Sequence, residues 1–524
     1  MNPNSKSGTR LDRLLAQHPA ALRGGRKGLE KESLRVNPRG CLAQTPHPSA
    51  LGSALTHPHI TTDYSEALLE LVTDPFADAR DTLHSLCDIH TFVYQHLTDD
   101  ELLWATSMPC ALEGDERIPI ARYGHSNIGM MKHVYRRGLG YRYGRSMQTI
   151  SGVHFNYSFP EAVWPVLQEL AADDRTPREF INDAYFGMLR NFQRISWLLL
   201  YLFGASPAVC KTFLLGRDLG FQAFDAHTWY EPFATSLRMS DIGYKNKNQS
   251  QVGVSYDSLY DYVSTLTHAV TTPVPEYEAI GVKVDGEYRQ LNANILQIEN
   301  EFYSFIRPKQ PIEPGERPTA ALCKRGVNYA EVRALDVNVF DPLGVSLHAL
   351  HFVEALLIGC LLDVSAPLGR DEQVAISHNQ TVTARHGRDP ALALQRDGKD
   401  VALRDWAFEI VARLDGICEA LDGNDPARPY TTSLAIQREA IADPERTPSA
   451  RMLAEMREHR ESFFMFAQRL SRRHRDYFLA RQLQADVAAA LAQQASQSLT
   501  DQADLERRDS LDFDEYLQRY FART

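Results

Sequence analysis

An α+β fold is what the sequence predicts, and three strand-like stretches joined by helical ones carry the prediction. GLEKESLRV (28–36), TISGVHFNYSFP (149–160) and NYAEVRALDVNVFDP (328–342) alternate side chains with the period of two that marks a strand. After the first of them, DARDTLHSLCDIHTFVYQHL (78–97) places Leu83, Leu86, Ile89, Phe92 and Val93 at helical spacing. A strand followed by a long covering helix is α+β construction. Each strand also sets charged side chains on a face that otherwise reads as buried.

In the first stretch Glu30 and Glu32 share a face with Leu34 and Val36, while Leu29, Lys31, Ser33 and Arg35 share the other. Two carboxylates turned inward repel and stay ionised only beside cations, of which an oxygen-bound divalent metal is the simplest. A solvated edge strand is the alternative, and E-x-E alone does not separate the two. TTDYSEALLELVTDP (61–75) repeats the pattern, with Glu66, Leu68, Glu70 and Val72 on one face if it is a strand ended at Asp74–Pro75.

The next segment interleaves basic and aromatic residues: Tyr135, Arg136, Arg137, Tyr141, Arg142 and Tyr143. Such interleaving can mark single-stranded nucleic-acid binding. A net charge of −11 argues against that class of partner. In the strand after it, Val153, Phe155, Tyr157 and Phe159 form an apolar face, with His154, Asn156 and Ser158 opposite. His154 is there either as a hydrogen-bonded structural residue or as a ligand.

Residues 177–203 read as helical, and 234–250 (ATSLRMSDIGYKNKNQS) as a loop carrying Arg238 and Tyr244. The segment from Leu291 is expected to end in a strand bearing Glu299, Glu301 and Arg307 before Pro308. In the third stretch Glu331, Arg333, Leu335 and Val337 are expected on one face, with Val332 and Ala334 on the other. Beyond 375 turn-rich segments give way to helical sequence, which after Pro448 has neither proline nor glycine.

The 524 residues, 44% hydrophobic and 23% charged, have a soluble globular balance. Seven scattered cysteines without a C-x-x-C pair suit a reducing cytoplasm, and neither a disulfide framework nor a zinc cluster. Residues 1–14 read as a disordered lead-in without a signal-peptide core. The apolar run from Ile195 is too short to cross a bilayer. The expected organisation is a 15–375 core with a mostly helical 376–524 region packed on it.

The ordered motifs GLEKESLRV, ALGSALTHPHITTDYSEALLELVT, SMPC, MQTISGVHFNYS, YLFGASPAVC, TSLRMSDIGY, LQIENEFYSFIRPK and YAEVRALDVN resemble those of proteobacterial glutamate–cysteine ligases over about residues 15–350. The resemblance implies a glutamine-synthetase-like fold, a large curved and mainly antiparallel sheet covered by helices. It implies an enzyme that uses ATP and Mg²⁺ (or Mn²⁺) to join the γ-carboxylate of glutamate to the amine of cysteine through a γ-glutamyl phosphate. Carried over motif by motif, the metal ligands fall on Glu30, Glu32, Asp63, Glu70, His154 and Glu331. Arg333 and Arg238 fall on phosphate or the glutamate carboxylate, with Arg307 and Glu299 beside the nucleotide. Tyr135, Arg136 and Tyr244 fall on the cysteine pocket, and the loop at Tyr244 is the expected lid. The segment 216–232 matches no motif. No nucleic-acid or membrane partner is implied, and a monomer is expected. The alternatives are a related ATP-dependent ligase joining glutamate to another amine, and a non-catalytic metal-binding or regulatory paralogue, which the intact acidic and arginine set argues against.

Overall fold

β1, Arg26–Val36, lies inside the main sheet of a computed structural model that describes residues 6–98, 101–109, 111–214, 220–243, 252–313 and 315–522. The other strands are β2 (Ile60–Thr62), β3 (Leu68–Val72), β4 (Leu102–Leu103), β5 (Gly152–Ser158), β6 (Ile306–Lys309) and β7 (Tyr329–Asp336). They run in the order β6-β7-β5-β1-β3-β2, with β4 paired to the end of β1 and every pairing antiparallel.

Alternation along β1 and β5 sorts the two faces as the sequence implies. Leu29, Val153, Phe155, Tyr157 and Val332 enter the larger core. Helices Ala79–His96, Pro177–Ile195 and Leu347–Leu362 supply much of the rest of that core. Leu34 and Val36 lie with Trp104 and Phe466 in a second core. Glu30, Glu32, His154 and Asn156 thus stand on the face away from the larger core.

Four local expectations are corrected. In β7, Val332 pairs with Phe155 but Leu335 with Val153, three residues against two. The extra residue is a bulge, which returns Leu335 to the core face instead of leaving it beside Glu331 and Arg333. The 61–74 strand breaks into β2 and β3, and Glu66 in the turn accepts from the backbone N–H of His47 (2.9 Å) and Arg122 (2.8 Å). Glu299–Glu301 form a turn of 3₁₀ helix, and only Arg307 of that acidic–basic stretch is in a strand. Lys6–Gln17 is a helix that begins inside the expected 1–14 disordered lead-in and runs past it, with Leu14 fully buried.

The basic–aromatic segment is a helix, Asn127–Tyr143, started by Ser126. Gly129, Gly138 and Gly140 lower its intrinsic propensity. Gly138 is required by packing, since a Cβ there would fall 2.2 Å from the Gln297 amide oxygen. Helices Ala485–Arg508 and Phe513–Ala522 brace it from outside. The His125 N–H donates to Glu506 (2.8 Å) and the Asn127 amide to the Leu511 carbonyl (3.0 Å), while Leu517 and Tyr520 pack on Met131 and Val134. The C-terminal region also holds a hairpin, Ala393–Arg396 with Lys399–Ala402, turned by Asp397–Gly398 with both φ positive. Helix Arg370–His386 runs across position 375. Among the described residues no helix is long and apolar enough to cross a membrane.

Candidate active site

Register brings the charged residues together. β1 sets Glu32 opposite Glu70 of β3 and Glu30 opposite His154 of β5. β7 sets Glu331 opposite Asn156 of β5 and Arg307 of β6. Directly opposed residues share a face. His154 is the hub: Nδ1 lies 3.1 Å from Glu30 and 3.7 Å from Glu331, and Nε2 3.6 Å from Glu32. One ligand atom each from Glu30, His154 and Glu331 lies within 4.8 Å of the others, and the same holds for Glu32, Glu70 and His154. Five of the six expected metal ligands therefore converge. Asp63 is in neither group, although its charge reaches both Glu32 and Glu70.

The two ends of this row differ in charge balance. At the β6–β7 end Glu331 meets Arg333 at 2.9 Å and Lys309 at 3.5 Å. Burial pushes the Glu331 carboxyl up, but Lys309, Arg333 and His154 hold it well below the usual range. Burial and Glu331 also push Glu30 up; its hydrogen bond to His154 and the nearby charges hold it low. At the β3 end Glu70 is driven well above the usual range by burial and then by Glu30, Asp63 and Glu32. Glu32 is raised chiefly by burial. The β3 end thus carries the greater uncompensated demand for cations.

These residues fit divalent metals by a direct observation. His154 Nε2 is buried without a hydrogen bond, 3.6 Å from a Glu32 oxygen, and Glu331 Oε2 has no hydrogen bond beyond its 3.5 Å ion pair with Lys309, a costly arrangement that a ligand would complete. Gly152 N–H (2.6 Å) and the Asn156 amide (2.8 Å) orient Glu32 and Glu30.

The other expected residues take varied places. Arg238 is buried, 3.6 Å from Asp336 and donating to the Arg333 carbonyl at 3.0 Å. It packs so closely on Gly152 that a Cβ there would fall 2.0 Å from the guanidinium. Arg307 donates to the carbonyls of Phe302 and Asn300. Glu299 accepts from Arg317 (2.8 Å) and Thr319 (2.6 Å), outside both acidic groups. Arg136 donates to the Asp63 carbonyl and lies over the Tyr123 ring at 4.7 Å. Burial drives the half-buried Tyr135 phenol well above its usual range. Tyr244 and the expected lid lie outside the described residues. Reading the sequence missed Lys309, Lys132 and the orienting role of Asn156. Lys309 could have been found by continuing the alternation two residues past Arg307.

The geometry is now matched by comparison. The sequence model of the family described as Glutamate-cysteine ligase matches residues 11–383. A glutamate–cysteine ligase of Alcanivorax borkumensis is 49% identical over 514 residues, covering 97% of this chain and 98% of the relative. One from Pseudomonas paraeruginosa is 50% identical, covering 94% of each chain. The crystal structure of glutamate–cysteine ligase from Francisella tularensis in complex with AMP superposes with a TM-score of 0.90 at 37% identity, covering 95% of this chain and 98% of that one. A bifunctional glutathione synthetase from Pasteurella multocida gives 0.73 at 26% identity, covering 90% of this chain and 55% of that one. Fold and relatives define the class, an ATP-dependent acid–amino-acid ligase with a glutamine-synthetase-like sheet. The chain belongs to the glutamate–cysteine ligase family.

Proposed function

We propose that the acidic face of the sheet carries out the family's reaction, with a division of labour that follows the charge imbalance along it. The enzyme joins the γ-carboxylate of glutamate to the amine of cysteine, converting ATP to ADP and phosphate, the first step of glutathione synthesis. A carboxylate does not acylate an amine in water, so it is first phosphorylated, and the cysteine amine then displaces phosphate. Two anions must be brought together in the first step.

Glu30 and Glu331 would hold one divalent ion, and Glu32, Glu70 and His154 through Nε2 another, with the His154 Nδ1–H kept on Glu30 and Asp63 adding charge at the second. Mg²⁺ or Mn²⁺ bound there would neutralise the triphosphate and the attacking carboxylate. Arg333, with Arg307 and Lys309 close by, places fixed positive charge at the β6–β7 end, which suits the transferring phosphoryl group. Arg238, tied to Asp336 and lying against Gly152, sets the position of the Arg333 backbone and adds positive charge near Glu32. Glu299 would act at the nucleotide through the atoms that Arg317 and Thr319 fix. Arg136 and Tyr135 would receive cysteine at the opposite end, and the family resemblance adds Tyr244. Closure over them would keep water from the acyl phosphate. The six described cysteines are free, as a reducing cytoplasm would keep them.

The observation that carries this reading is one buried imidazole reaching carboxylates from two other strands, with buried polar atoms left without a hydrogen bond. The test is to incubate purified protein with ATP, Mg²⁺, glutamate and cysteine, and identify the products by mass. γ-Glutamylcysteine, ADP and phosphate in equal amounts are expected. ADP without dipeptide, or faster turnover with another amine, would overturn the assignment.

A further inference from the structure

The Asn127–Tyr143 helix presents a second cation beside Arg136. Lys132 lies one turn earlier on the same face, the i to i+4 relation that makes side chains neighbours. Both cations sit on one ring: the Lys132 ammonium is 5.2 Å from the centre of Tyr123, and the Arg136 guanidinium 4.7 Å. Tyr123 is itself buried and donates its hydroxyl to the carbonyls of Thr62 (2.7 Å) and Asp63 (3.0 Å). The ring is therefore a fixed platform at the β2–β3 turn, next to the acidic row.

Arg136 is engaged by the carbonyls of Asp63 and Lys132. Among the described residues Lys132 makes no ion pair of its own, although it is half-buried. Burial and the neighbouring Arg136 draw its ammonium down to about 8, and Glu70 works against them. It remains mostly protonated at neutral pH. A desolvated ammonium next to a guanidinium calls for negative charge. Glu70 acts on both cations and Asp63 on Arg136, but among the described residues no carboxylate meets Lys132 in an ion pair. That leaves room for a ligand group small enough to sit between two cations one helical turn apart.

We propose that Lys132 is a specificity-determining residue, which with Arg136 grips the carboxylate of the acceptor amino acid across the face of Tyr123. This rests on the reading above that Arg136 receives cysteine, and adds a residue and a rule to it. The enzyme selects acceptors that carry an α-carboxylate, and amines lacking one are poor substrates.

Cysteine and cysteamine, which differ only in that carboxylate, are the probes, used with full-length wild type, Lys132→Met, Lys132→Arg and Arg136→Ala. Met keeps the apolar stem of a half-buried lysine and removes only the charge. Lys132→Met is expected to raise the cysteine KM about ten-fold, the size of one lost charged hydrogen bond. The KM for cysteamine, glutamate and ATP should stay within about two-fold, because none of them uses this contact. Lys132→Arg should keep most of the preference for cysteine.

Wild type alone gives an answer independent of any variant's folding: equal kcat/KM for cysteine and cysteamine would overturn the proposal. If Arg136→Ala erases the preference while Lys132→Met leaves it intact, this inference fails and the cysteine-pocket reading stands. If neither variant changes it, both fail. A rise in the glutamate KM with Lys132→Met would move the residue to the other amino acid and overturn the acceptor assignment.

Discussion

β1 carries buried charge on both faces, and the two faces treat it in opposite ways. On the core side the Lys27 ammonium meets Glu354 at 2.8 Å, with both side chains at most 2% exposed. Lys27 also donates to the carbonyls of Gly25 (3.0 Å) and Ala77 (2.7 Å), and Tyr430 donates to Glu354 at 2.7 Å. One cation faces one anion, fastening the strand to helices Leu347–Leu362 and Pro429–Ala442. On the other side Glu30, Glu32, Glu70 and Glu331 crowd around one imidazole, and among the described residues only Glu331 of the four meets lysine or arginine in an ion pair, with Arg333 and Lys309. Charge placed for stability is matched within the chain. Charge placed for chemistry is left to be completed by something that arrives.

The first way to break that contrast is to neutralise a carboxylate on the acidic face. Glu331→Gln should lower kcat/KM about a thousand-fold or more, in line with loss of a group that organises phosphoryl transfer. Some stability should be lost as well, because Arg333 and Lys309 lose the carboxylate they meet. Near-normal turnover in the folded variant would return Glu331 to a structural role.

Next comes the core side, where the same operation should do the reverse. Lys27→Met leaves Glu354 buried without its cation and should cost about 3–5 kcal/mol of stability. Lys27→Met combined with Glu354→Leu should restore most of that. Urea melts of the single and double variants measure it, and an undiminished midpoint in the single variant would show that the pair does not hold the sheet to its helices.

Arg333→Lys sharpens the comparison within the site. Lysine keeps the charge but lacks the planar fork, so turnover should fall about a hundred-fold with the fold intact. Near-normal turnover would leave Arg333 as a partner for Glu331 alone.

The smallest effect is a pH dependence of stability from histidines buried away from the acidic face. Burial first, then Lys27, pulls His351 down to about 4; burial, then Lys31, pulls His474 down to about 3. In the unfolded chain both titrate near 6.5, so below that pH the unfolded state takes up protons that the folded state refuses. Their contribution is whole above pH 6.5 and declines from there to about 4 for His351 and about 3 for His474, by up to about 1.4 kcal/mol per pH unit for each. Replacing His474 with Gln should flatten the slope of stability between pH 6 and 4.5, and an unchanged slope would show that it does not titrate on unfolding.

How much of this was legible in the sequence follows from the range of each interaction. Alternation placed Glu30, Glu32 and His154 on the correct faces of β1 and β5, because a strand's period belongs to the strand alone. It failed at Leu335, where one extra residue inserted against β5 reverses the alternation and no side chain signals the bulge. The Asn127–Tyr143 helix was hidden by glycines whose reasons are neighbours outside it: Tyr123 for Gly129, Tyr64 for Gly140 and, more than 150 residues away, Gln297 for Gly138. Its two cations became readable as a pair only once the helix was in place.

By itself the sequence determined the α+β class, the period and apolar side of each long strand, the family and most of the acidic set. These depend on residue type and local spacing. Tertiary structure alone decided that His154 is shared between two acidic groups while Asp63 stands apart. It also decided that Lys309 compensates one end of the row and that Lys132 stands beside Arg136 on Tyr123. Each of these depends on which residues strand register or helix docking sets opposite one another. Electrostatic balance at such a site is a sum over neighbours, and the chain does not specify its neighbours until it has folded.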